Sequence, residues 1–351
     1  MSFIARPAPL VDFAPKNELG LTLRDYEGGM STLCAGCGHD SVSAAIAQAC
    51  FELSVEPHRA LKVSGIGCSS KTPAYFLRSS HGMNAVHGRM PAIATGAGAA
   101  NRELALLGVS GDGDSLSIGL GQFMHAMRRN LNMVYILENN GVYGLTKGQF
   151  SASADIGSTA KKGEANEQPP LDPVLTALSA GASYIARSFS GDKNQLVPLL
   201  KGAIEHDGFA LVDVISPCVT FNDHEGSTKS YLHTRDASEE LMHADFVPPE
   251  EPIEVTLSEQ GVTPVRLHDG SHLLLRQTEH AYDPTNRGEA FASVMEHQSR
   301  GELVTGLLYI DESSRQMHAV NNSRQSALVD VPYEELCPGA DALAALQRKM
   351  R

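Results

Sequence analysis

Short apolar runs alternate with longer segments of helical spacing through the first two thirds of the chain. The runs of strand character end in turns rich in glycine, asparagine or cysteine, and cover 60–70, 104–114, 132–144 and 208–218. Helical patterns cover 87–104, 115–130, 171–181 and 193–206, and an Ala-rich helix begins near Asp40 or Ser41, the expected N-caps. Strands that alternate with helices predict an α/β fold with a doubly wound, mainly parallel sheet.

The character of the sequence changes at both ends of this pattern. Residues 1–28 are Pro-rich and aperiodic, which predicts an extended N-terminal arm. Residues 29–228 carry the α/β pattern, and 229–351 form a polar, Pro/Glu-rich C-terminal extension that we expect to pack on the core. Within the extension, we expect a hairpin across Asp269-Gly270 and one more strand in 301–312.

Composition limits the functions that the chain can have. The 351 residues are 42% hydrophobic and 20% charged, with a net charge of -13. Such an acidic chain argues against a general nucleic-acid surface, which needs clustered Lys and Arg. No run approaches the roughly 18 apolar residues of a membrane helix, and the start lacks a secretory apolar region. We therefore expect a cytoplasmic protein whose six cysteines serve metal or redox chemistry rather than disulfides.

The loop "GDGD" at 111–114 has the form of a phosphate-binding turn, yet it contains two carboxylates. A carboxylate can lie beside a diphosphate only when a divalent cation such as Mg²⁺ sits between them. Asn140, 28 residues after Asp112 and at the end of the next strand, offers a second oxygen ligand. A Rossmann nucleotide loop is excluded, because no G-x-G-x-x-G follows an early strand.

The cysteines form one close pair and two distant single residues. Cys34-x2-Cys37 alone fits a redox pair, half a zinc site or half an iron–sulfur site. Cys68 and Cys218 each follow a predicted strand, and parallel strands end at a common edge of a sheet. The four thiolates therefore fit one [4Fe–4S] cluster. The two other cysteines are interpreted as ordinary packed thiols: Cys50 in an Ala-rich helix, and Cys337 in the extension.

These motifs resemble a known family. Gly-Asp-Gly, followed one helix and one strand later by Asn-Asn, resembles the thiamine diphosphate (ThDP) fingerprint. The motifs "CAGCGH", "GIGCSS", "HGRMPAIATG", "GDGDSLSIGLGQFMHAMRRNLNM", "NNGVYGLTKGQ" and "SPCVTF" together resemble the β subunit of 2-oxoacid:ferredoxin oxidoreductases over residues 30–225. Ala35 departs from the more usual Pro, but it leaves the thiolates intact.

The resemblance implies a ThDP-binding fold and the ligands of its cofactors. Asp112, the Asn140 side chain and the Val142 carbonyl are implied to bind Mg²⁺, with Asp114 in a supporting position. The residues implied to lie around ThDP come from glycine-containing loops: Ile66, Gly67, Cys68, Ser69, His87, Gly88, Arg89, Gly113, Asp114, Gly144, Leu145 and Thr146.

The resemblance also implies an activity and two residues near the reacting substrate, Lys147 and His87. Relatives that act on pyruvate often have "TGGQ" where this chain has "LTKGQ", so Lys147 favours 2-oxoglutarate, whose distal carboxylate a cation can pair. A solvated surface Lys, or one that contacts a coenzyme A phosphate, remains an alternative. His87 could equally be a half-buried, hydrogen-bonded histidine.

The implied reaction is CoA-dependent oxidative decarboxylation of 2-oxoglutarate to succinyl-CoA and CO₂, with electrons passed to ferredoxin. In this family, the glutamate that activates ThDP belongs to a partner α subunit, and no segment here resembles that domain. An α₂β₂ assembly follows from the resemblance. The alternatives are a β subunit specific for pyruvate, indolepyruvate or a broad set of 2-oxoacids, and a non-enzymatic iron–sulfur electron carrier.

Overall fold

The structure of the chain is a computed structural model that describes residues 14–159, 163, 165–249, 262–266, 272–277 and 282–350. Of these, 272–277 are described by their backbone. None of the helices in the described segments is both long enough and apolar enough to cross a membrane.

The helices and strands follow one another in the alternation that the sequence predicts. The helices are α1 (Leu23–Tyr26), α2 (Gly38–Glu52), α3 (Met90–Ala100), α4 (Leu120–Arg128), α5 (Pro173–Ala180), α6 (Lys193–Glu205), α7 (Tyr231–Ala237), α8 (Arg287–Ser299), α9 (Met317–Val320), α10 (Tyr333–Leu336) and α11 (Gly339–Lys349). The strands are β1 (Ala60–Ser64), β2 (His81–Asn84), β3 (Ala105–Gly111), β4 (Met133–Asn139), β5 (Val142–Tyr143), β6 (Gln149–Phe150), β7 (Tyr184–Phe189), β8 (Phe209–Ile215), β9 (Ser238–Val247), β10 (Val262–Arg266), β11 (His272–Gln277) and β12 (Leu303–Ile310). Short 3₁₀ turns and one π-helix lie at Pro57–Arg59, Ser69–Ala74, Leu328–Asp330 and Gly113–Ile118.

One large sheet runs through the described part of the chain, in the order β10-β11-β9-β12-β7-β8-β4-β3-β1-β2. The six strands from β7 to β2 are all parallel, and β12 joins them antiparallel to β7. Every residue of β1, β4, β7 and β8 is buried, as expected for parallel strands covered on both faces. The helices pack as two groups, α1–α2–α6 and α3–α4–α5–α8. The predicted doubly wound, mainly parallel α/β fold is confirmed.

The first long helix begins earlier than the sequence indicates. Neither Asp40 nor Ser41 caps it, because α2 starts at Gly38 with Cys37 in the N-cap position. A Cβ atom at Gly38 would lie 2.7 Å from the hydroxyl oxygens of both Ser190 and Ser216, so only glycine lets the chain turn into the helix this close to the sheet. The start of α2 therefore directly follows the Cys34–Cys37 turn.

The predicted helix over 115–130 is divided in two. A π-helix covers Gly113–Ile118, and α4 begins only at Leu120. The break lies at Gly119, whose Cβ would come within 2.8 Å of the Gly88 Cα. Close approach of two backbones decides this geometry, and hydrophobic periodicity does not report it.

Parts of the N-terminal arm and of the C-terminal extension pack against the core. Tyr26, in the short helix α1, is fully buried, and its hydroxyl donates to the Val55 carbonyl at 2.8 Å. The arm is therefore anchored to the core at Tyr26, while most of its other described residues are exposed. The extension contributes β9–β12 to the main sheet, including the strand expected in 301–312. β10 and β11 pair antiparallel as the predicted hairpin requires, and the turn at Asp269-Gly270 lies outside the described residues.

Candidate active site

The carboxyl ends of four adjacent parallel strands, β1, β3, β4 and β8, meet at one edge of the sheet. The residues that follow these ends are the ones the sequence singles out: Cys68, Asp112, Asn140 and Cys218. Ligands of open parallel sheets bind at this edge. The fold therefore brings residues that are 150 positions apart in the chain, Cys68 and Cys218, to the same side of the molecule.

Asp112 is held rigidly with one carboxylate oxygen open. The residue is 1% exposed and precedes the π-helix. Its Oδ2 accepts hydrogen bonds from the Gly141 N–H at 2.9 Å, from the Ser153 hydroxyl at 2.5 Å and from the Ser151 hydroxyl. Oδ1 accepts none from the described part of the chain, and is thus available to a cation. A fixed carboxylate with an open oxygen fits Mg²⁺, which prefers oxygen ligands.

Asn140 and Val142 lie on the turn that bonds to Asp112. The Asn140 Oδ1 accepts from the Val142 N–H at 3.0 Å, and the Asn140 carbonyl accepts from the Asn222 amide at 2.8 Å. Gly141, between them, has φ +76°, a conformation that glycine adopts without strain. The three predicted metal-binding residues are therefore neighbours in space.

Asp114 has a different environment from Asp112. One of its oxygens accepts from the Gly88 N–H at 2.7 Å and the other from the Ser110 hydroxyl at 3.0 Å. These bonds tie the His87–Arg89 loop to the end of β3. His87 and Arg89 themselves are exposed at the rim, so the alternative of a half-buried His87 is wrong in this structure.

The loop after β1 closes the site on one side. Gly67 has φ +84°, and Cys68 caps the 3₁₀ turn that follows. Ser69 is 2% exposed, and its hydroxyl donates to the Ile66 carbonyl at 3.0 Å. A Cβ at Gly111 would lie 3.1 Å from the same hydroxyl oxygen, so the end of β3 approaches this loop closely.

The β5–β6 turn joins the diphosphate loop to the cysteines. A Cβ at Gly113 would lie 2.5 Å from the Tyr143 ring, whose hydroxyl donates to the Gly113 carbonyl at 2.8 Å. A Cβ at Gly144 would lie 3.3 Å from the Cys68 sulfur and 3.5 Å from the Cys218 sulfur. The predicted cofactor residues that follow on this turn, Leu145, Thr146 and Lys147, are exposed.

The four predicted cluster cysteines lie around the N-terminus of α2. The Cys37 N–H donates to the Cys34 carbonyl at 3.0 Å, and the Thr220 hydroxyl lies 3.5 Å from the Cys34 sulfur. Burial raises the pKa of Cys37 to about 12 and also raises the pKa of the Cys68 and Cys218 thiols, and the thiols raise one another's pKa further. Such thiols become thiolates when a metal displaces their protons.

Among the described residues, these thiols do not form a ready site for a single metal ion. Within the described segments, no three His, Cys, Asp or Glu side chains converge to hold one metal ion. A [4Fe–4S] cluster does not require that convergence, because each thiolate binds a different iron. Backbone N–H groups of Thr220, Phe221 and Asn222 act on the Cys218 sulfur and oppose the rise of its pKa. N–H donors of this kind also stabilise a sulfur bound to iron.

The sequence does not predict two groups of site residues, although His39, beside the Cys34–Cys37 pair, is expected to be structural or pocket-lining. Ser151 and Ser153, which fix Asp112, come from an aperiodic loop that gives no signal of its own. Beneath the site, His39 lies between Ser216 and Glu138, and Glu138 is completely buried. Burial lowers the pKa of His39 to about 4 and raises the pKa of Glu138 well above its ordinary value. A glutamate inside the buried strand "MVYILEN" was the signal that could have identified this group.

Comparisons with known proteins agree with this geometry. Residues 65–214 match the family model of the thiamine pyrophosphate enzyme C-terminal TPP binding domain. The 2-oxoacid:ferredoxin oxidoreductase subunit beta of Sulfolobus sp is 41% identical over 221 residues, which are 63% of this chain and 70% of that protein. The 2-oxoglutarate oxidoreductase subunit KorB of Mycobacterium tuberculosis is 41% identical over 191 residues, 54% of this chain and 51% of that protein.

A solved structure extends the similarity to nearly the whole chain. A chain of the 2-oxoglutarate:ferredoxin oxidoreductase from Magnetococcus marinus, solved with 2-oxoglutarate, coenzyme A and succinyl-CoA bound, superposes with a TM-score of 0.71 at 30% identity. The alignment covers 96% of this chain and 99% of that one. The fold and the site define a thiamine-pyrophosphate-binding enzyme. Within that class, the chain belongs to the β subunits of 2-oxoacid:ferredoxin oxidoreductases.

Proposed function

We propose that this chain is the β subunit of a cytoplasmic 2-oxoglutarate:ferredoxin oxidoreductase. The reaction is the CoA-dependent oxidative decarboxylation of 2-oxoglutarate to succinyl-CoA and CO₂, with two electrons passed to ferredoxin. The observation that carries the proposal is the packing of Gly144. Its neighbour Tyr143 packs on the Gly113 loop, where the metal and the diphosphate would bind, and Gly144 itself packs against the Cys68 and Cys218 sulfurs. The names of the Mycobacterium and Magnetococcus relatives support 2-oxoglutarate as the substrate.

Asp112, Asn140 and Val142 bind the Mg²⁺ that allows a diphosphate to approach the Asp112 carboxylate. Ser151, Ser153 and the Gly141 N–H hold Oδ2 of that carboxylate, which would leave Oδ1 to bind the cation without reorganisation. Preorganisation of this kind makes metal binding tighter, because the carboxylate loses little freedom when the ion arrives.

The glycine-containing loops around this point hold ThDP, which supplies an electron sink for the loss of CO₂ when bound. Gly67, Gly88 and Gly144 let the backbone come close to the cofactor, and Asp114 holds the His87–Arg89 loop in place. His87 and Arg89 line the rim on one side and Leu145 and Thr146 on the other. Ile66, Ser69 and Gly113 form the inner wall of the site.

Cys34, Cys37, Cys68 and Cys218 bind one [4Fe–4S] cluster. Cys37 stands at the N-terminus of α2, where the helix dipole stabilises the negative charge of a thiolate cluster. Cys34 is the exposed member of the set, so we assign its side of the cluster to electron transfer to ferredoxin.

The site requires a partner subunit. Among the described residues of β1, β3, β4 and β8, Glu138 is the only glutamate, and it is buried and accepts hydrogen bonds from Thr72, so it is not placed to touch a bound cofactor. We propose that an α subunit supplies the activating glutamate across the exposed rim, in an α₂β₂ assembly. Coenzyme A enters as the second substrate.

Cofactor analysis of the αβ complex, purified without oxygen, tests this function. We expect about four irons and one ThDP for each β chain, because one cubane contains four irons. A complex with the cluster and without ThDP would instead fit a simple electron carrier and would rule the proposal out. Broad 2-oxoacid specificity, which the name of the Sulfolobus relative favours, is tested below through Lys147.

A further inference from the structure

A row of four buried polar side chains runs beneath the proposed cluster. The Ser216 hydroxyl lies 2.5 Å from the Nδ1 of His39. The Nε2 of the same histidine lies 3.7 Å from an oxygen of Glu138. The Thr72 hydroxyl is within hydrogen-bond distance of both Glu138 oxygens, at 2.9 and 3.1 Å. None of the four is more than 1% exposed, so these polar groups are screened from solvent.

Each member of this row lies a few residues from a residue that we assign to a cofactor. His39 is two residues after Cys37, Thr72 is four after Cys68, and Ser216 is two before Cys218. Glu138 is two residues before Asn140. The row therefore connects α2, the 3₁₀ turn after β1, the end of β8 and the end of β4.

We propose that Ser216, His39, Glu138 and Thr72 form a positioning network that fixes the three segments that carry the four cysteines relative to one another and to the Asn140 turn. Glu138 is the central member, because it is anchored on β4 and reaches both the His39 and the Thr72 segments. The inference rests on the proposed [4Fe–4S] cluster. It assigns to these four residues the role of positioning the cluster ligands, although none of them binds the cluster itself.

The physical reason is that cluster ligands must be held in place before the metal arrives. The three segments join the sheet at different strands, so without a cross-connection each could shift separately by a fraction of an ångström. Groups that orient metal ligands typically change metal affinity 10- to 100-fold when they are removed. The packing of Gly38 against Ser216, with room for no Cβ, shows that two of these segments are already at closest approach.

Thr72→Val tests the network in the anaerobically purified αβ complex, because it removes the hydroxyl and keeps the shape of the side chain. We expect the variant to lose its cluster to an iron(II) chelator about 10-fold faster than wild type. We also expect the EPR spectrum of the reduced cluster to change. Thr72→Ser, which restores the hydroxyl, should return both to the wild-type values.

Thr234→Val is the matched control, since Thr234 is also buried and its hydroxyl donates to the Ser230 carbonyl at 2.8 Å, away from the network. Equal rates of cluster loss in Thr72→Val and Thr234→Val, with EPR spectra like that of wild type, would overturn the inference. If Thr72→Val gives no folded complex, Ser216→Ala opens the network from the other end, and wild-type retention of iron there overturns it equally.

Iron analysis of the wild-type complex separates this inference from the proposed function. A wild-type complex without iron contradicts the function, and the network inference with it. A wild-type complex with about four irons, together with variants that hold them as tightly as wild type, leaves the function standing and removes only the network.

Discussion

Asp112 and Asp114 lie two residues apart on one loop, and their hydrogen bonds give them different parts in the site. Asp112 has all its internal donors on Oδ2, so Oδ1 stays open toward a cation. Asp114 has one internal donor on each oxygen, from Gly88 and from Ser110. Its carboxylate therefore holds the Gly88 loop against the end of β3. The chemistry of a carboxylate in this loop depends on which of its lone pairs the protein leaves free.

Lys147 provides a prediction about substrate choice at the same scale. The residue is exposed and has φ +80°, a conformation that costs a non-glycine residue about 1–2 kcal/mol. Lys147→Gly removes both the charge and the strain, whereas Lys147→Met removes the charge alone. We expect both variants to raise the KM for 2-oxoglutarate by about 10-fold or more, because a charge-assisted hydrogen bond contributes about 1.5–3 kcal/mol. The KM for pyruvate should not change.

Steady-state kinetics of the αβ complex with each 2-oxoacid checks this prediction. Equal effects of the two variants assign the preference to the charge, and an effect of Lys147→Gly alone assigns it to the backbone. A wild-type enzyme that prefers pyruvate contradicts the choice of 2-oxoglutarate and favours the broad or pyruvate-specific alternatives.

The sequence was informative at the residue scale where a motif sits at a strand end. Asp112, Asn140 and Cys68 could be placed at one edge because a strand precedes each of them and parallel strands end together. Ser151 and Ser153 could not, because they bond to Asp112 across 39 and 41 positions of aperiodic chain. Which loop folds back onto a carboxylate depends on packing between distant segments. Hydrophobic periodicity reports local elements and not contacts of this kind.

At the scale of elements, the strand β9 shows how the extension is joined to the core. Glu240, on this strand, accepts from the Gln195 amide of α6 at 2.8 Å and lies 3.0 Å from the Nδ1 of His243. Gln195 also reaches the Thr305 hydroxyl of β12 at 3.1 Å. Neighbouring strands and a core helix thus share one polar cluster, which includes the histidine His243.

This cluster predicts a pH dependence of stability. The hydrogen bond from His243 to Glu240 raises the pKa of the histidine above its ordinary value of 6.5. A group with a raised folded pKa stabilises the fold below its unfolded pKa, and this stabilisation is lost as pH rises through the folded pKa. We expect wild type to lose stability relative to His243→Gln between pH 6 and 8, by less than about 1 kcal/mol, since the pair is partly solvated.

Thermal unfolding at pH 6, 7 and 8 measures this difference. His125→Gln, on the exposed face of α4, is the matched substitution and should follow wild type at each pH. If the stability of His243→Gln changes with pH in the same way as that of wild type across this range, the effect cannot be assigned to the His243–Glu240 pair.

For the whole molecule, the position of the extension was the part that the sequence could not predict. The strand over 301–312 was expected, yet its place was not: β12 lies antiparallel to β7, and β9 follows it on the far side. Pairing between strands so distant in the chain is set by which sheet edge remains open after the core has formed. The sequence pattern does not predict the strand β7, so it also does not predict that the extension pairs with the edge that β7 forms.

Arg187 lies on β7 beside this junction and joins the core elements there. It is 1% exposed, its Nε donates to Asp213 of β8 at 2.7 Å, and its Nη2 donates to Asp172 at the start of α5, also at 2.7 Å. Its register partner on β12 is Gly306, in the extension. One buried cation therefore compensates two carboxylates at the point where the core meets the added strands.

We expect Arg187→Met to lower the free energy of unfolding by roughly 3–5 kcal/mol, because it leaves the buried Asp213 and the half-buried Asp172 without a cation. Arg300→Met is the matched control. Arg300 also pairs with two carboxylates, Glu296 and Glu302, but in solvent, where such pairs contribute little. Urea unfolding of the cluster-loaded protein measures both changes. Similar small losses in the two variants would show that Asp172 and Asp213 are satisfied without Arg187, and that this buried ion pair does not stabilise the junction between the core and the extension.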